Sequence, residues 1–542
     1  MIRKSIDNIR ATDKQKNDIY ERICVDHEKN EKTAKKTRID FLKYGTMAAA
    51  TVLALGGVAV AVSLIVNMQG VPVTHTESGG IAENIASALQ SDTDSLVNSE
   101  DDSDGCYPPK HESLDKYSDI DVDTKPILLT WYEFDESTPQ VEMFKALYGT
   151  PENKPAGYED TPDDNVFAIM NVNYADRYTQ LAELISSGQS PDIMPFELSM
   201  YPYTIINEHF ESIDGLFDFS GSEWELHNEL SDQLMWKGKT YVPVISVNPY
   251  QVLWYRKSVV EDYGLADPYT LYREGKWDWT AFFDMSEQFV KNGENVYAID
   301  GYGAYIGDAF ALSTGKSFFS LNNGVYTSNL YDAELENAMD ILMKKLNSKE
   351  NQLRYPSDIV SNWNPDGVAW VKGRTLFFSD SYHRYEEIWQ KYIDVFEWDE
   401  DEIQFVPFPK ADGKETYYQQ ININSYMLCK GSSNQNAYKA WVYANLLVEN
   451  DIDAQYVAEK IDKYNWTVEL LDRVREVNDT DNIRPVISVK GTIQKATSPD
   501  VGFYDPIIEN LTKKPFFGTS SFTAVRDENS DFIKLWVDKI NE

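Results

Sequence analysis

The groups able to do chemistry in this chain show none of the spacings that a familiar catalytic or metal centre uses. Six histidines (His27, His75, His111, His209, His227 and His383) show neither HExxH nor any other metal-ligand spacing. There is no G-x-S-x-G nucleophile turn and no phosphate-binding P-loop, so covalent and nucleotide chemistry have no sequence support and no cofactor or metal is expected. Paired carboxylates can be found anywhere among 88 acidic residues and carry no weight. What remains is a set of rings, carboxylates and amides at the ends of strand-like runs. Tyr132, Glu133 and Asp135 follow the first run, and Phe196 and Glu197 follow PDIM. Asn248 and Tyr250 precede QVLWYR, while Tyr302 and Tyr305 follow VYAID. Asp380 and Tyr382 follow TLFFS, and Gln419, Gln420 and Asn422 lie near ININ. Ring faces combined with fixed hydrogen-bonding groups can seat a small polar molecule without a covalent step.

Such residues need rigid elements behind them. From Pro126 onward, apolar strand-like runs (PILLTWYEF, TYVPVI, QVLWYR, TLFFS, IQFVPFP, ININSYMLC) alternate with amphipathic helical stretches such as YTQLAELISS and ELENAMDILMKKL. That alternation predicts an α/β fold with largely parallel sheets covered on both faces. Of the 71 aromatic residues, 66 lie in this part, so most rings must serve the core. Trp277 and Trp279 are expected to pack at a helix start that Thr280 caps, with the helix beginning at Ala281. Gly188 and Gly238 are placed for tight turns, and Ser190 and Asp192 are expected to serve the first of these.

The first 125 residues differ in kind. Residues 1–44 hold 12 Lys+Arg and 8 Asp+Glu, with a helix expected over Asp13–Cys24. Residues 45–66 are 22 uncharged residues, about 33 Å as a helix and enough for a hydrocarbon core of about 30 Å. Lys32, Lys35, Lys36, Arg38 and Lys43 precede this run and no Lys or Arg follows until Lys110, which orients the N-terminus to the cytoplasm and the bulk outside the cell. A cleaved signal peptide would need a 44-residue charged leader and a small-x-small site that NMQGVPV lacks. Residues 67–125 carry 13 acidic and 3 basic residues and two aromatics, a composition expected to stay disordered as a spacer. Asp119, Asp121 and Asp123 alternate, but Thr124 stands where a calcium loop needs glycine.

Net charge is −38, and the part beyond residue 44 is more acidic still, which argues against nucleic acid or anionic lipid as its partner. Cys24, Cys106 and Cys429 fall in three different environments, so no intramolecular bridge is expected; Cys106 is an unpaired surface thiol or a link between two chains.

Several segments, taken in order, resemble the family-1 extracellular solute-binding proteins of bacterial ABC importers, the group that includes maltose- and oligosaccharide-binding proteins. ILLTWYEFD resembles their first strand. YTQLAELISSGQSPDIMPFE resembles their helix, Ser-Gly turn and "PDI" strand, and MWKGKTYVPVI the strand entering the hinge. VLWYRKSVVEDYGL, WDWTAFFDMSEQF, VKGRTLFFSDSY, FVPFPK and GSSNQNAYKAWVYANLL follow in family order. The resemblance implies a two-lobed, periplasmic-binding-protein-like clamp of type II. Its expected lobes are residues 126–246 with 421–480 and residues 247–420 with 481–542. It implies a sugar ligand, with Phe196 and Tyr382 at positions of stacking aromatics. The expected function is capture of a sugar or oligosaccharide for an ABC-type importer by hinged closure, with a permease as partner. Two departures leave other roles open: no lipid-anchor cysteine follows the apolar run, and SIDNIRATDKQKNDIYERI resembles the start of clostridial transmembrane anti-sigma regulators. A ligand-sensing regulator and a surface glycan adhesin are the alternatives.

Overall fold

A computed structural model describes residues 117, 119–322, 324–348, 353–355, 367–450, 464–490 and 506–542, all within the unit Asn98–Glu542. The tail helix at 13–24, the apolar segment 45–66, Cys24, Cys106 and most of the spacer lie outside the described residues. Among the described residues no helix is long and apolar enough to cross a membrane.

The chain enters on β1 (Ile127–Thr130) and continues through α1 (Pro139–Tyr148), β2 (Ala168–Asn171), α2 (Arg177–Ser186) and β3 (Ile193–Pro195). It crosses on β4 (Ser246–Pro249) to β5 (Val252–Arg256) and α3 (Trp279–Asn292). Beyond these come β6 (Tyr297–Gly301), α4 (Gly303–Leu312), the hairpin β7 (Phe319–Asn322) and β8 (Val325–Ser328), α5 (Ala333–Leu346), β9 (Thr375–Asp380) and β10 (Ile403–Val406). It returns along β11 (Tyr417–Asn424) to β12 (Tyr426–Leu428) and α6 (Gln435–Asn450). It ends through α7 (Val468–Asn478), β13 (Ile483–Val486), α8 (Pro506–Phe517) and α9 (Phe522–Asn541).

Two four-stranded sheets result, β12-β3-β1-β2 in the first lobe and β10-β5-β9-β6 in the second. In the first sheet β1 is parallel to both neighbours, so β1, β2 and β3 end at one edge. In the second, β9 runs parallel to β6 and antiparallel to β5. Its residues Thr375–Ser379 are buried on both faces, which is why TLFFS is an unbroken apolar run rather than an alternating one. A third sheet, β13-β11-β4, lies where the chain passes between the other two. The first half of β11 pairs with β13 (Gln419↔Pro485, Gln420↔Val486) and its second half with β4 (Ile421↔Pro249, Asn422↔Asn248).

Each lobe is filled with rings. Trp441 meets Phe167 edge-on at 4.8 Å in the first lobe, beside Phe144 and Phe134. Trp254 stacks on Tyr385 at 5.5 Å in the second, and Trp370 on Trp389 at 4.5 Å. Trp277 and Trp279 are buried as expected, donating to the Pro407 carbonyl at 2.8 Å and to Ser313 Oγ at 3.0 Å.

Four local expectations are corrected. TYVPVI is not a strand, which starts only at Ser246. Pro243 has no N–H to give a ladder, its carbonyl accepts from Ser425 Oγ, and the Val244 N–H is taken by His227 Nδ1 at 3.2 Å. The cap of α3 is Asp278, which accepts from the Ala281 N–H at 2.9 Å, while Thr280 lies inside the helix and bonds Asp412. Tyr117 and Val122, which composition places in the acidic spacer, are buried, with Tyr117 against Tyr443 at 5.0 Å. Asp192 and Ser190 do not serve the turn at Gly188: Asp192 accepts from the Ile127 N–H at 2.8 Å and from Ser432 Oγ at 2.6 Å, and Ser190 Oγ donates to the Lys430 carbonyl, so both tie distant segments together.

Candidate functional site

In a parallel sheet the strand carboxyl ends present their following residues to one crevice. Trp131 and Tyr132 leave β1, Tyr174 follows β2, and Phe196 and Glu197 leave β3. Tyr132 is 43% exposed and Tyr174 48%, which is unusual for rings in so aromatic a fold. Trp131 meets Tyr132 edge-on at 5.8 Å and Tyr174 at 6.1 Å. Behind them lies Arg177, the first residue of α2 and fully buried. Its Nε and Nη2 donate to the two Glu197 oxygens at 2.6 and 2.7 Å, and Tyr178 Oη donates to Glu197 at 2.7 Å. Burial, and the Glu197 charge after it, push the Tyr178 phenol well above its ordinary value. Phe196 is partly buried and packs edge-on to Tyr201 at 5.7 Å.

The second lobe offers a tighter set. Tyr305, in the first turn of α4, meets Tyr250 edge-on at 5.0 Å and Tyr302 at 4.7 Å. Gly301 makes the bend before this helix at φ +133; a Cβ there would lie 2.8 Å from the Ser379 carbonyl oxygen on β9, so only glycine allows the two strand ends to close up. Tyr302 is buried, its hydroxyl held by Glu509 and its ring 5.3 Å from the Lys513 ammonium. One turn beyond Tyr305, the buried Asp308 pairs with Lys490. Burial pushes the Tyr250 phenol well above its ordinary value; Tyr305 adds to this, as do Asp308 and, from the first lobe, Tyr174. The first-lobe Tyr174 therefore lies near enough to Tyr250 of the second lobe to act on it electrostatically.

The remaining candidates are placed elsewhere. Tyr382 packs in the second-lobe core against Phe405 at 5.1 Å, with Trp254 and Trp466 beyond, and its hydroxyl is buried without a hydrogen bond. Asp380 accepts from Arg384 Nε at 2.9 Å and the Ser381 N–H at 2.8 Å. Burial raises its carboxyl above the usual range and the Arg384 charge opposes that shift. Asp135 closes a turn with Ser137, and Glu133 is exposed. Gln419 donates to the Val477 carbonyl at 3.0 Å. The Gln420 carbonyl accepts from the Tyr250 N–H at 2.8 Å, while its side-chain oxygen is buried without a partner. Asn248 and Asn422 face each other across β4 and β11, and Asn478 donates to Asn248 at 3.0 Å.

Of the residues singled out in the sequence, Tyr132, Phe196 and Glu197 therefore share the rim of strand ends on the first lobe, and Tyr250 and Tyr305 pair with each other on the second. Trp131, Tyr174 and Arg177 escaped the sequence reading. Position after the strand-like AIMN was the available signal for Tyr174; the Arg177–Glu197 contact spans 20 residues and leaves none. Among the described residues no group of three or more His, Cys, Asp or Glu could hold a metal ion. His209 is stacked on Tyr178, His227 on Phe219, and both are buried; His383 is exposed.

A family model described as bacterial extracellular solute-binding protein matches residues 170–454. Among solved structures, a sugar transporter from Rhizobium etli in an open conformation has 12% identity and a TM-score of 0.54, covering 76% of this chain and 99% of its own. The sugar-binding protein MalE from Xanthomonas citri has 13% identity and a TM-score of 0.53, covering 77% and 98%. The GacH receptor of Streptomyces glaucescens has 13% identity and a TM-score of 0.52, covering 77% and 99%. Likeness at these identities is likeness of fold. No curated protein matches by sequence.

Proposed function

This chain belongs to the bacterial extracellular solute-binding protein family, and on that premise we propose that it captures a sugar or oligosaccharide between its lobes for an ABC-type importer. The observation that carries the reading is the ring cluster Trp131–Tyr132–Tyr174 at the first-lobe strand ends, with Tyr132 and Tyr174 exposed and Tyr250 within electrostatic reach of Tyr174. Flat CH faces of a sugar stack on such rings, and its hydroxyl edges need the polar groups around them. The GacH receptor, of the same fold, was solved with acarbose, and another protein of this fold, from Listeria monocytogenes, with cycloalternan.

Binding is by clamping. A ligand favours the closed arrangement only by touching both lobes at once, since equal contact with open and closed forms shifts nothing. The three-stranded sheet β13-β11-β4 is the hinge in this reading. Residues 45–66 hold the protein in the cell membrane as a single span, with residues 1–44 in the cytoplasm and the solute-binding part outside. The basic flank before the apolar run supports that orientation. A ligand-sensing regulator is the second reading, favoured by the 44-residue charged tail on the other side of the proposed span.

A thermal-shift screen of the full chain against a glycan library tests the ligand class. A saccharide at 100 times its Kd should add about 2.7 kcal/mol of stability. Failure of every carbohydrate to raise the melting temperature would remove the sugar assignment. Protease added to intact cells tests the topology: it should digest residues beyond 66 and spare the tail.

A further inference from the structure

We infer that Arg177 is a positioning residue for ligand binding: its buried guanidinium, clamped by Glu197, fixes where the rings of Tyr174 and Trp131 stand. The inference rests on the proposal that this rim meets the ligand.

An exposed tyrosine after a strand has few contacts to hold it. Tyr174 is nearly half exposed, yet the Arg177 guanidinium carbon lies 3.9 Å from its ring centre. The same carbon is 5.0 Å from the Trp131 ring and 4.8 Å from that of Tyr178. A flat cation among three rings is attracted by the negative charge on their faces, and more strongly where water is excluded. The guanidinium is itself fixed in two directions. Glu197 takes it in a fork on one edge, and Nη1 donates to the Tyr174 carbonyl, which ties the backbone carrying the ring to the cation beneath it.

Glu197 is correspondingly engaged. Its two oxygens take two bonds from Arg177 and one from Tyr178, and its side chain is 12% exposed. The carboxylate at the end of β3 thus supports the rings standing after β1 and β2. One ion pair joins all three strand ends into one surface. Only arginine has this combination of planar face and two-pronged donor; a lysine ammonium cannot span both carboxylate oxygens or lie flat under a ring.

The test is fluorine NMR on the full chain labelled with 5-fluorotryptophan, in which Trp131→Phe identifies one signal among 13 tryptophans. In Arg177→Lys the Trp131 signal should move and broaden while the others stay. Glu197→Gln, which keeps the shape but removes the clamp charge, should move the same signal. An unmoved Trp131 signal in both variants would overturn the inference. So would collapse of all signals in both, since the pair would then be a requirement of the fold. For affinity the probes are maltose through maltotetraose together with any glycan that stabilises the native chain. Arg177→Lys should weaken binding about tenfold. In a Tyr174→Ala background it should weaken binding by less than about twofold, because the ring it positions is gone. Full additivity would count against positioning. If no carbohydrate binds the native chain, the sugar reading falls, and the tryptophan signals still decide the role of Arg177.

Discussion

The rims of the two lobes are built by opposite means. On the first lobe the rings stand exposed on a buried ion pair; on the second Tyr250, Tyr302 and Tyr305 lock edge-to-edge and into α8, leaving less ring face open. A surface of rings on a fixed charged support can stay open to solvent, while interlocked phenols bury much of one another's faces. The contrast teaches that aromatic content alone does not locate a binding face. Exposure does, together with whatever replaces the packing that an exposed ring forgoes.

Substitutions can break or sharpen that contrast. The largest effect belongs behind the first rim: Trp441→Ala removes a ring surrounded by Phe134, Phe144, Phe167 and Tyr426 and should cost roughly 3–5 kcal/mol in urea unfolding. Next comes pH, which should act on the first lobe through His227. Burial pushes this imidazole down to about 4, and its Nδ1 accepts the Val244 N–H. Unfolded, it protonates near 6.5, so between 6.5 and 4 the unfolded chain binds the extra proton. Its contribution of about 3 kcal/mol is therefore full above pH 6.5 and lost as the pH falls toward 4. Stability curves of the native chain and of His227→Gln should converge across that window; parallel curves would refute the assignment. On the second lobe, Gly301→Ala forces a methyl against the Ser379 carbonyl at positive φ and should cost about 2 kcal/mol. The smallest effect on stability is expected at the open rim. Tyr132→Ala should stay within about 0.5 kcal/mol in unfolding while weakening glycan binding, whereas Tyr382→Ala should do the reverse.

Strand and helix types were legible where one force decided them. TLFFS could only be a strand buried on both faces, and the helices of α2 and α5 followed from their apolar spacing. VPVI misled because an apolar run around a proline can be buried without a ladder, its backbone satisfied by His227 and Ser425. Thr280 misled because two good capping residues lie two apart, and the contact with Asp412 that occupies Thr280 comes from 132 residues away. The placement of the candidates was legible as far as the strand ends go: Tyr132 and the pair Phe196–Glu197 follow the neighbouring strands β1 and β3, while Tyr382, two residues past β9, packs against Phe405 and Trp466. Which way a side chain turns after a strand depends on distant partners, and these leave no local mark in the sequence.

The sheet that links the lobes has proline on both flanks of its central strand: Pro249 in β4 and Pro485 in β13. Neither can donate a hydrogen bond outward, so the outer margins of the ribbon make poor templates for a further strand. A connecting ribbon with bare backbone along its margins would otherwise offer a neighbouring chain a place to add a strand. The two prolines make this joint less adhesive than unbroken edges would be.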